Sequence, residues 1–250
     1  MTPEEIERYA RHIVLREIGG PGQKRLLNAT LLCIGAGGLG SPALLYLAAA
    51  GVGRLGVVDD DVVSLSNLQR QIIHDTSAVG ELKTTSATRA LGRVNPGVEV
   101  IEHSFRLDKT NVDALLSGYD LVLDGSDNFS TRYLLNAACV RAKIPLISAA
   151  MSQWEGQISV YDPARGGPCY QCIFPKAPAA GLAPNCAEAG VMGALAGVMG
   201  SMMAGEAIKQ ITGAGQVLRS ELLIYDALFG ETRKMKTSQR ADCPICSPPE

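Results

Sequence analysis

Thr30-Leu-Leu-Cys-Ile-Gly-Ala-Gly-Gly-Leu-Gly-Ser-Pro42 is the stretch that decides the fold. Thr30–Ile34 is apolar almost throughout, the pattern of a strand buried on both faces. Gly35-x-Gly37-x-x-Gly40 follows at the spacing of a dinucleotide-binding turn,. An Ala/Leu-rich helix, Pro42–Ala50, comes next, with Pro42 near its first turn, where a missing N–H costs little,. Glycines here permit a tight turn and close backbone approach, and the helix N-terminus offers free N–H groups to phosphate. A glycine turn can also serve packing alone, so its neighbours must decide.

Downstream, Gly51-Val-Gly53 ends the helix and Arg54–Val58 reads as a second strand. Strand-like runs recur at Val98–Ile101, Leu121–Leu123 and Ile144–Ile147, with helical segments between them. This alternation predicts an α/β fold: a Rossmann-like, mostly parallel sheet with helices on both faces. Beyond Trp154, Gln157–Tyr161 and Leu222–Tyr225 suit antiparallel strands extending one sheet end. Upstream, residues 1–28 read as a helical lead-in, with Ile6, Tyr9, Ile13 and Val14 at helical spacing,. Gly19-Gly-Pro-Gly22 breaks that pattern, and Lys24–Leu27 makes a short helical link. Residues 173–188 begin as a Pro/Ala-rich connector and are expected to form a mobile crossover loop. With no fixed-period repeat and no boundary, 1–250 reads as a single domain,.

Composition excludes several classes of function. The 250 residues carry a net charge of −2 with a pI near 6, unlike a nucleic-acid-binding polyelectrolyte,. Met1-Thr-Pro-Glu-Glu-Ile-Glu-Arg8 is charged where a signal peptide needs an apolar run,. An odd count of 7 cysteines fits a reducing, cytoplasmic setting,. The charge-free run Ala189–Gly205 falls short of the ~20 residues of a membrane span. Glycines dilute it and Glu206 and Lys209 close it, so it reads as a buried helix and no membrane partner is expected. Its Gly193-xxx-Gly197 spacing suits close packing against a sheet.

Asp59 ends the second strand, where an acidic residue can take ribose hydroxyls,. The glycine turn and Asp59 alone would suit an NAD-dependent oxidoreductase. Arg70 and Lys83 then supply cations that could reach phosphate, although such residues usually line a solvated face. Leu121-Val-Leu-Asp124-Gly-Ser-Asp127-Asn128 puts carboxylates at a strand's C-terminal end, where open α/β sheets bind ligands,. Reaction at a nucleoside triphosphate needs both features, cations for the polyphosphate and a carboxylate for Mg²⁺. Hydride transfer leaves Arg70, Lys83 and Asp127 unexplained.

Cys169-Tyr-Gln-Cys172 and Cys243-Pro-Ile-Cys246 are two chelating pairs. Together they make a tetrahedral four-cysteine set, for which Zn²⁺ is the expected metal in a structural role. Cys33 and Cys139, in an apolar strand and a helix, read as core residues,. His12, His74 and His103 form no metal or triad spacing and read as ordinary surface or core residues.

Gly35-Ala-Gly-Gly-Leu-Gly40, Asp59, Ser66-Asn-Leu-Gln-Arg70, Lys83 and Asp127-Asn128 together resemble the MoeB/ThiF family, bacterial relatives of ubiquitin-activating enzymes. The resemblance runs from Arg8-Tyr-Ala-Arg11 to Cys243-Pro-Ile-Cys246, and Ser64-Leu-Ser-Asn-Leu-Gln-Arg-Gln71 is its specific part. It implies ATP beside Gly38, with Asp59 on the ribose and Ser66, Asn67, Leu68, Gln69 and Arg70 along the nucleotide. Asn67, Arg70 and Lys83 would hold the triphosphate, and Asp127, beside Asn128, the Mg²⁺. Arg11 would reach the ATP of a second subunit, which implies a homodimer.

The implied reaction is adenylation of the C-terminal glycine carboxylate of a small ubiquitin-fold sulfur carrier ending in Gly-Gly, with release of pyrophosphate. The molybdopterin-synthase carrier is the first expectation and the thiamine carrier the second. The chain ends shortly after Cys246, which leaves no room for a rhodanese domain, so a separate sulfur donor is expected. Cys186 matches a thiol used for acyl-persulfide chemistry in some members and dispensable in others, and its place near a helix start would lower its pKa. A zinc-stapled nucleotide sensor without turnover is the remaining alternative.

Overall fold

Successive strand residues face opposite sides of a sheet, so a strand can be apolar throughout only when both sides are covered. The computed structural model, which describes residues 1–178 and 189–247, is built on this. The chain begins with helices α1 (Pro3–Arg8), α2 (Ala10–Ile13) and α3 (Gly19–Asn28). Then come β1 (Thr30–Ile34), α4 (Gly40–Ala50), β2 (Arg54–Val58), α5 (Lys83–Val94), β3 (Glu99–His103) and α6 (Val112–Leu116). The middle of the chain supplies β4 (Leu121–Asp124), α7 (Phe129–Ala142), β5 (Leu146–Ser152), β6 (Glu155–Tyr161) and α8 (Tyr170–Ile173). The long helix α9 (Gly193–Thr212) precedes a last hairpin of β7 (Glu221–Asp226) and β8 (Glu231–Lys236).

The strands form one sheet in the order β3-β2-β1-β4-β5-β6-β7-β8. Pairing is parallel from β3 to β5 and antiparallel from β5 to β8. Leu31 and Cys33 of β1 join the core shared with α4, α5 and α9, and Leu32 and Ile34 join the core shared with α6 and α7 on the opposite face. The chain runs outward from β1 through β2 to β3, then returns through α6 to β4 on the other side of β1. A crevice therefore opens between β1 and β4 at the carboxyl ends of the strands, where doubly wound sheets bind ligands,.

Two local expectations are corrected. Gly19-Gly-Pro-Gly22 does not break the lead-in: these residues are the first turn of α3. Pro21 is tolerated there, and Gly22 is needed because a Cβ would stand 2.9 Å from Ile18 Cγ2 and 3.5 Å from Thr212 Cβ of α9,. The helix holding the charge-free run, α9, continues past Glu206 and Lys209 to Thr212. Glu206 is buried there, accepting a hydrogen bond from the Leu218 N–H (2.8 Å) and pairing with Lys209 (2.6 Å). Close packing of α9 uses Gly193 and Gly200, against Gln69 and against Leu39 and Pro42, whereas Gly197 meets nothing within 4 Å. The edge strand β8 is additional to the expected set. No helix among the described residues is long and apolar enough to cross a membrane. Residues 179–188, with Cys186 and most of the expected crossover loop, lie outside the described residues.

Candidate nucleotide site and four-cysteine cluster

The glycine turn is locked by its own backbone. Gly35 has φ +91°, the left-handed region that glycine enters freely,. A Cβ on Gly40 would run into the Gly35 carbonyl oxygen, so the last glycine lets α4 start directly against the end of β1. Gly38 lies under Met151 and Arg70: a Cβ there would be 2.9 Å from Met151 Cε and 3.6 Å from Arg70 Cγ.

Asp59, at the end of β2, reaches across to this turn. Its Oδ2 accepts the Ala36 N–H at 2.8 Å and its Oδ1 the Asp61 N–H at 3.0 Å. Lys83, the first residue of α5 and only 6% exposed, places its ammonium 2.7 Å from Asp61 Oδ2 and 3.7 Å from Asp59 Oδ1. Burial pushes the Asp59 pKa above the usual carboxylate value, while Lys83 and the two backbone N–H groups pull it down. Each Asp59 oxygen keeps a lone pair that can accept a ribose hydroxyl. Ser64 and Asn67 close a capping box around Leu65–Asn67, which turns the chain so that Arg70 faces the glycines. The Arg70 guanidinium donates to the Ser66 carbonyl at 3.0 Å.

On the far side of the crevice the two carboxylates at the end of β4, Asp124 within it and Asp127 beyond it, differ. Asp124 is fully buried and engaged: Oδ1 accepts from the Ser126 N–H (3.0 Å) and Oγ (2.5 Å), and Oδ2 from Ser148 Oγ (2.7 Å). It fixes the loop and has no face for a ligand. Asp127 is exposed at the mouth of the crevice, and Asn128 caps α7 by accepting the Thr131 N–H at 2.9 Å.

The second assembly lies near α7 and α8. Sulfurs of Cys169, Cys172, Cys243 and Cys246 all lie within 4.8 Å of one another, with contacts of 3.8 Å (169–172), 3.6 Å (169–243) and 3.4 Å (172–246). A tetrahedral zinc with bonds of ~2.3 Å needs sulfurs about 3.8 Å apart, so the set fits that ion. Donors already point at the sulfurs: Asn136 Nδ2 at Cys169 (3.7 Å), the Arg240 N–H at Cys172 (3.4 Å) and Gln239 Nε2 at Cys246 (3.5 Å). Burial opposes ionisation of Cys243, but N–H groups of Cys246 and Ile245 and the Cys169 and Cys172 thiols outweigh it and bring its pKa down to about 7. Burial pushes the Cys169 and Cys172 thiols up instead. It does the same at Cys33, where burial, then Asp124 and Asp59, push the pKa up to about 12. What sets Cys33 apart is that it has no second sulfur beside it among the described residues,.

The sequence model of the ThiF family matches residues 9–245. The chain belongs to the ThiF family. It is 47% identical over 249 residues to the sulfur carrier protein adenylyltransferase of Thermus thermophilus, spanning 98% of this chain and 92% of the relative. It is 47% identical over 242 residues to the SAMP-activating enzyme E1 of Haloferax volcanii, spanning 97% and 89%. The fold matches that of E. coli MccB, solved with ATP, with TM-score 0.80 at 23% identity over 96% of this chain and 73% of that one.

In this ThiF-family protein, Gly38, Asp59, Arg70 and Lys83 converge on one turn, with Asp127 and Asn128 on the loop that follows the neighbouring strand. Ser66 and Asn67 shape the 64–70 segment, through the Ser66 carbonyl bonded by Arg70 and the Asn67 side chain bonded by the Ser64 N–H. Leu68 is half-buried and Gln69 exposed, with the Gln69 carbonyl facing Gly193 of α9. Arg11 stands apart. Its helix is anchored through His12 to Gln23 (3.1 Å) and through Gln23 to the Ala50 carbonyl (2.9 Å), at the opposite end of α4 from the glycine turn. His74 is one of the residues the spacing gave no reason to single out: it is buried and bonded at both ring nitrogens.

Proposed function

We propose that this protein adenylates the C-terminal glycine of a small ubiquitin-fold sulfur carrier with ATP, and that its carrier is the one serving molybdopterin synthase. What supports the reading is the meeting of the glycine turn with Asp59, Arg70 and Lys83 at the carboxyl ends of β1 and β2, in a chain 47% identical to a sulfur carrier protein adenylyltransferase. The carrier's carboxylate attacks the α-phosphorus of ATP, the bond to the β-phosphate oxygen breaks, and pyrophosphate leaves. The carrier becomes an acyl-adenylate. A carboxylate is already a nucleophile, so no protein group need take a proton, and catalysis is alignment and charge neutralisation.

Asp59 would hold the ribose, and Asn67, Arg70 and Lys83 the triphosphate. Asp127 would hold Mg²⁺, which supplies further neutralisation of phosphate charge. Arg11, on a helix anchored at the far end of α4 from the glycine turn, would complete the site of a second subunit in a homodimer. The four cysteines would hold a structural Zn²⁺. Residues 1–250 would act as one adenylyltransferase domain, with sulfur delivered by a separate donor and any role of Cys186 confined to the steps after adenylation.

ATP–pyrophosphate exchange, run in parallel with the molybdopterin and thiamine carriers, tests this reading. Exchange is expected with the molybdopterin carrier. Exchange only with the thiamine carrier corrects the pathway, and exchange with neither refutes the adenylation reading.

A further inference from the structure

Ala36, fully buried in the glycine turn, is held on both sides of its residue. Its N–H goes to Asp59 Oδ2 at 2.8 Å, and its carbonyl lies 2.9 Å from His74 Nε2. The other ring nitrogen, Nδ1, lies 2.9 Å from Ser86 Oγ on α5. A carbonyl oxygen can only accept, so Nε2 carries the proton and Nδ1 accepts from the Ser86 hydroxyl. Burial pushes the His74 pKa below its usual value, in keeping with a neutral ring.

Ser86 is three residues beyond Lys83, so both sit on one face of α5. Lys83 reaches Asp59, Asp59 holds Ala36, Ala36 is held by His74, and His74 returns to Ser86. This closed ring joins the glycine turn, the end of β2 and the first turn of α5. Ser41 Oγ, the other side chain near the Ala36 carbonyl, is 3.5 Å away and a weaker partner,. The direction of the Ala36 peptide units sets where the following N–H groups of Gly37 and Gly38 lie.

We propose that His74 is a positioning residue that fixes the nucleotide-binding turn by holding the Ala36 carbonyl opposite Asp59. The proposal rests on the adenylation reading for what the turn binds. His74 touches no reacting atom.

Three substitutions separate its contacts. His74→Gln keeps an amide N–H where Nε2 stands, His74→Asn keeps one only where Nδ1 stands, and His74→Phe fills the volume with neither. The readouts are deuterium uptake of residues 35–40 in the protein alone, calorimetric affinity for a non-hydrolysable ATP analogue, and KM values in ATP–pyrophosphate exchange. His74→Gln should stay within about threefold of the parent in affinity and uptake. His74→Asn and His74→Phe should weaken analogue binding by roughly tenfold and speed uptake. Their KM for ATP should rise while that for the carrier protein stays unchanged.

Equal behaviour of Gln and Asn variants, whether both intact or both impaired, would overturn the assignment, as would a loss confined to the carrier's KM. A parent protein that binds the analogue but exchanges no pyrophosphate refutes adenylation alone. Affinity and deuterium uptake would then still decide the role of His74.

Discussion

Lys83 and Arg70 are both cations beside the glycine turn, yet their surroundings make different demands on stability. The Lys83 ammonium neutralises Asp59, whose side chain is only 9% exposed, so deleting it leaves a desolvated carboxylate without its partner,. Among the described residues the Arg70 guanidinium hydrogen-bonds the Ser66 carbonyl and no carboxylate. Lys83→Ala should therefore lose about a hundredfold or more in exchange rate and also lower the melting temperature. Arg70→Ala should lose a similar factor at an unchanged melting temperature. Exchange assays and thermal melts on the two variants check this, and an active Lys83→Ala protein would remove Lys83 from the site. Asp59, Arg70 and Lys83 were legible because nucleotide chemistry demands such groups after a glycine turn. The separation of Asp124 from Asp127 was not legible. Both stand at the end of the same strand, and only the fold decides that Ser126 and Ser148 saturate the first. His74 was hidden for the same reason, since both its partners are distant in sequence.

Among the elements, β1, β2 and the helix between them were readable because local pattern and burial agree there. The α3 start was not, because a glycine run signals a break, whereas Gly22 lies inside the first turn of α3, where a Cβ would crowd Ile18 Cγ2 at 2.9 Å. The strand β8 left no periodic signal because all six of its residues are exposed, so no apolar alternation marks it. The same distinction between glycines gives a test inside the turn. Gly40→Ala forces a Cβ against the Gly35 carbonyl and should destabilise the protein by about 2–4 kcal/mol or prevent folding,. At Gly37 the nearest atom to a Cβ is Gln71 Nε2 at 3.6 Å, an ordinary contact, so Gly37→Ala should change unfolding by less than ~1 kcal/mol,. Urea denaturation of both variants decides it, and equal midpoints would contradict the packing described for the start of α4.

At the scale of the whole molecule, the 11 residues of α4 set the distance between Arg11's anchor and the glycine turn at roughly 16 Å,. An arginine so placed is better suited to a second subunit than to its own nucleotide. Mixing inactive Arg11→Ala chains with inactive Asp127→Ala chains should restore part of the exchange activity, because some heterodimers carry one intact site. No recovery despite proven subunit exchange would leave Arg11 without that role. The cysteine cluster has a wider reach than its position suggests. Joining Cys172 to Cys243 through one ion closes a loop of roughly 70 residues, a restriction of the unfolded chain that a covalent link of that span would turn into about 4 kcal/mol of stability. That loop contains α9, whose Ala196 and Gly193 abut Gly38 and Gln69. Stripping the ion with a chelator should therefore loosen the nucleotide turn from a distance: melting temperature and ATP-analogue affinity should fall together, and Cys243→Ser should reproduce both. An ion held by the four cysteines would thus make the cluster a tether around α9, and its slackening would be felt where that helix meets Gly38 and Gln69.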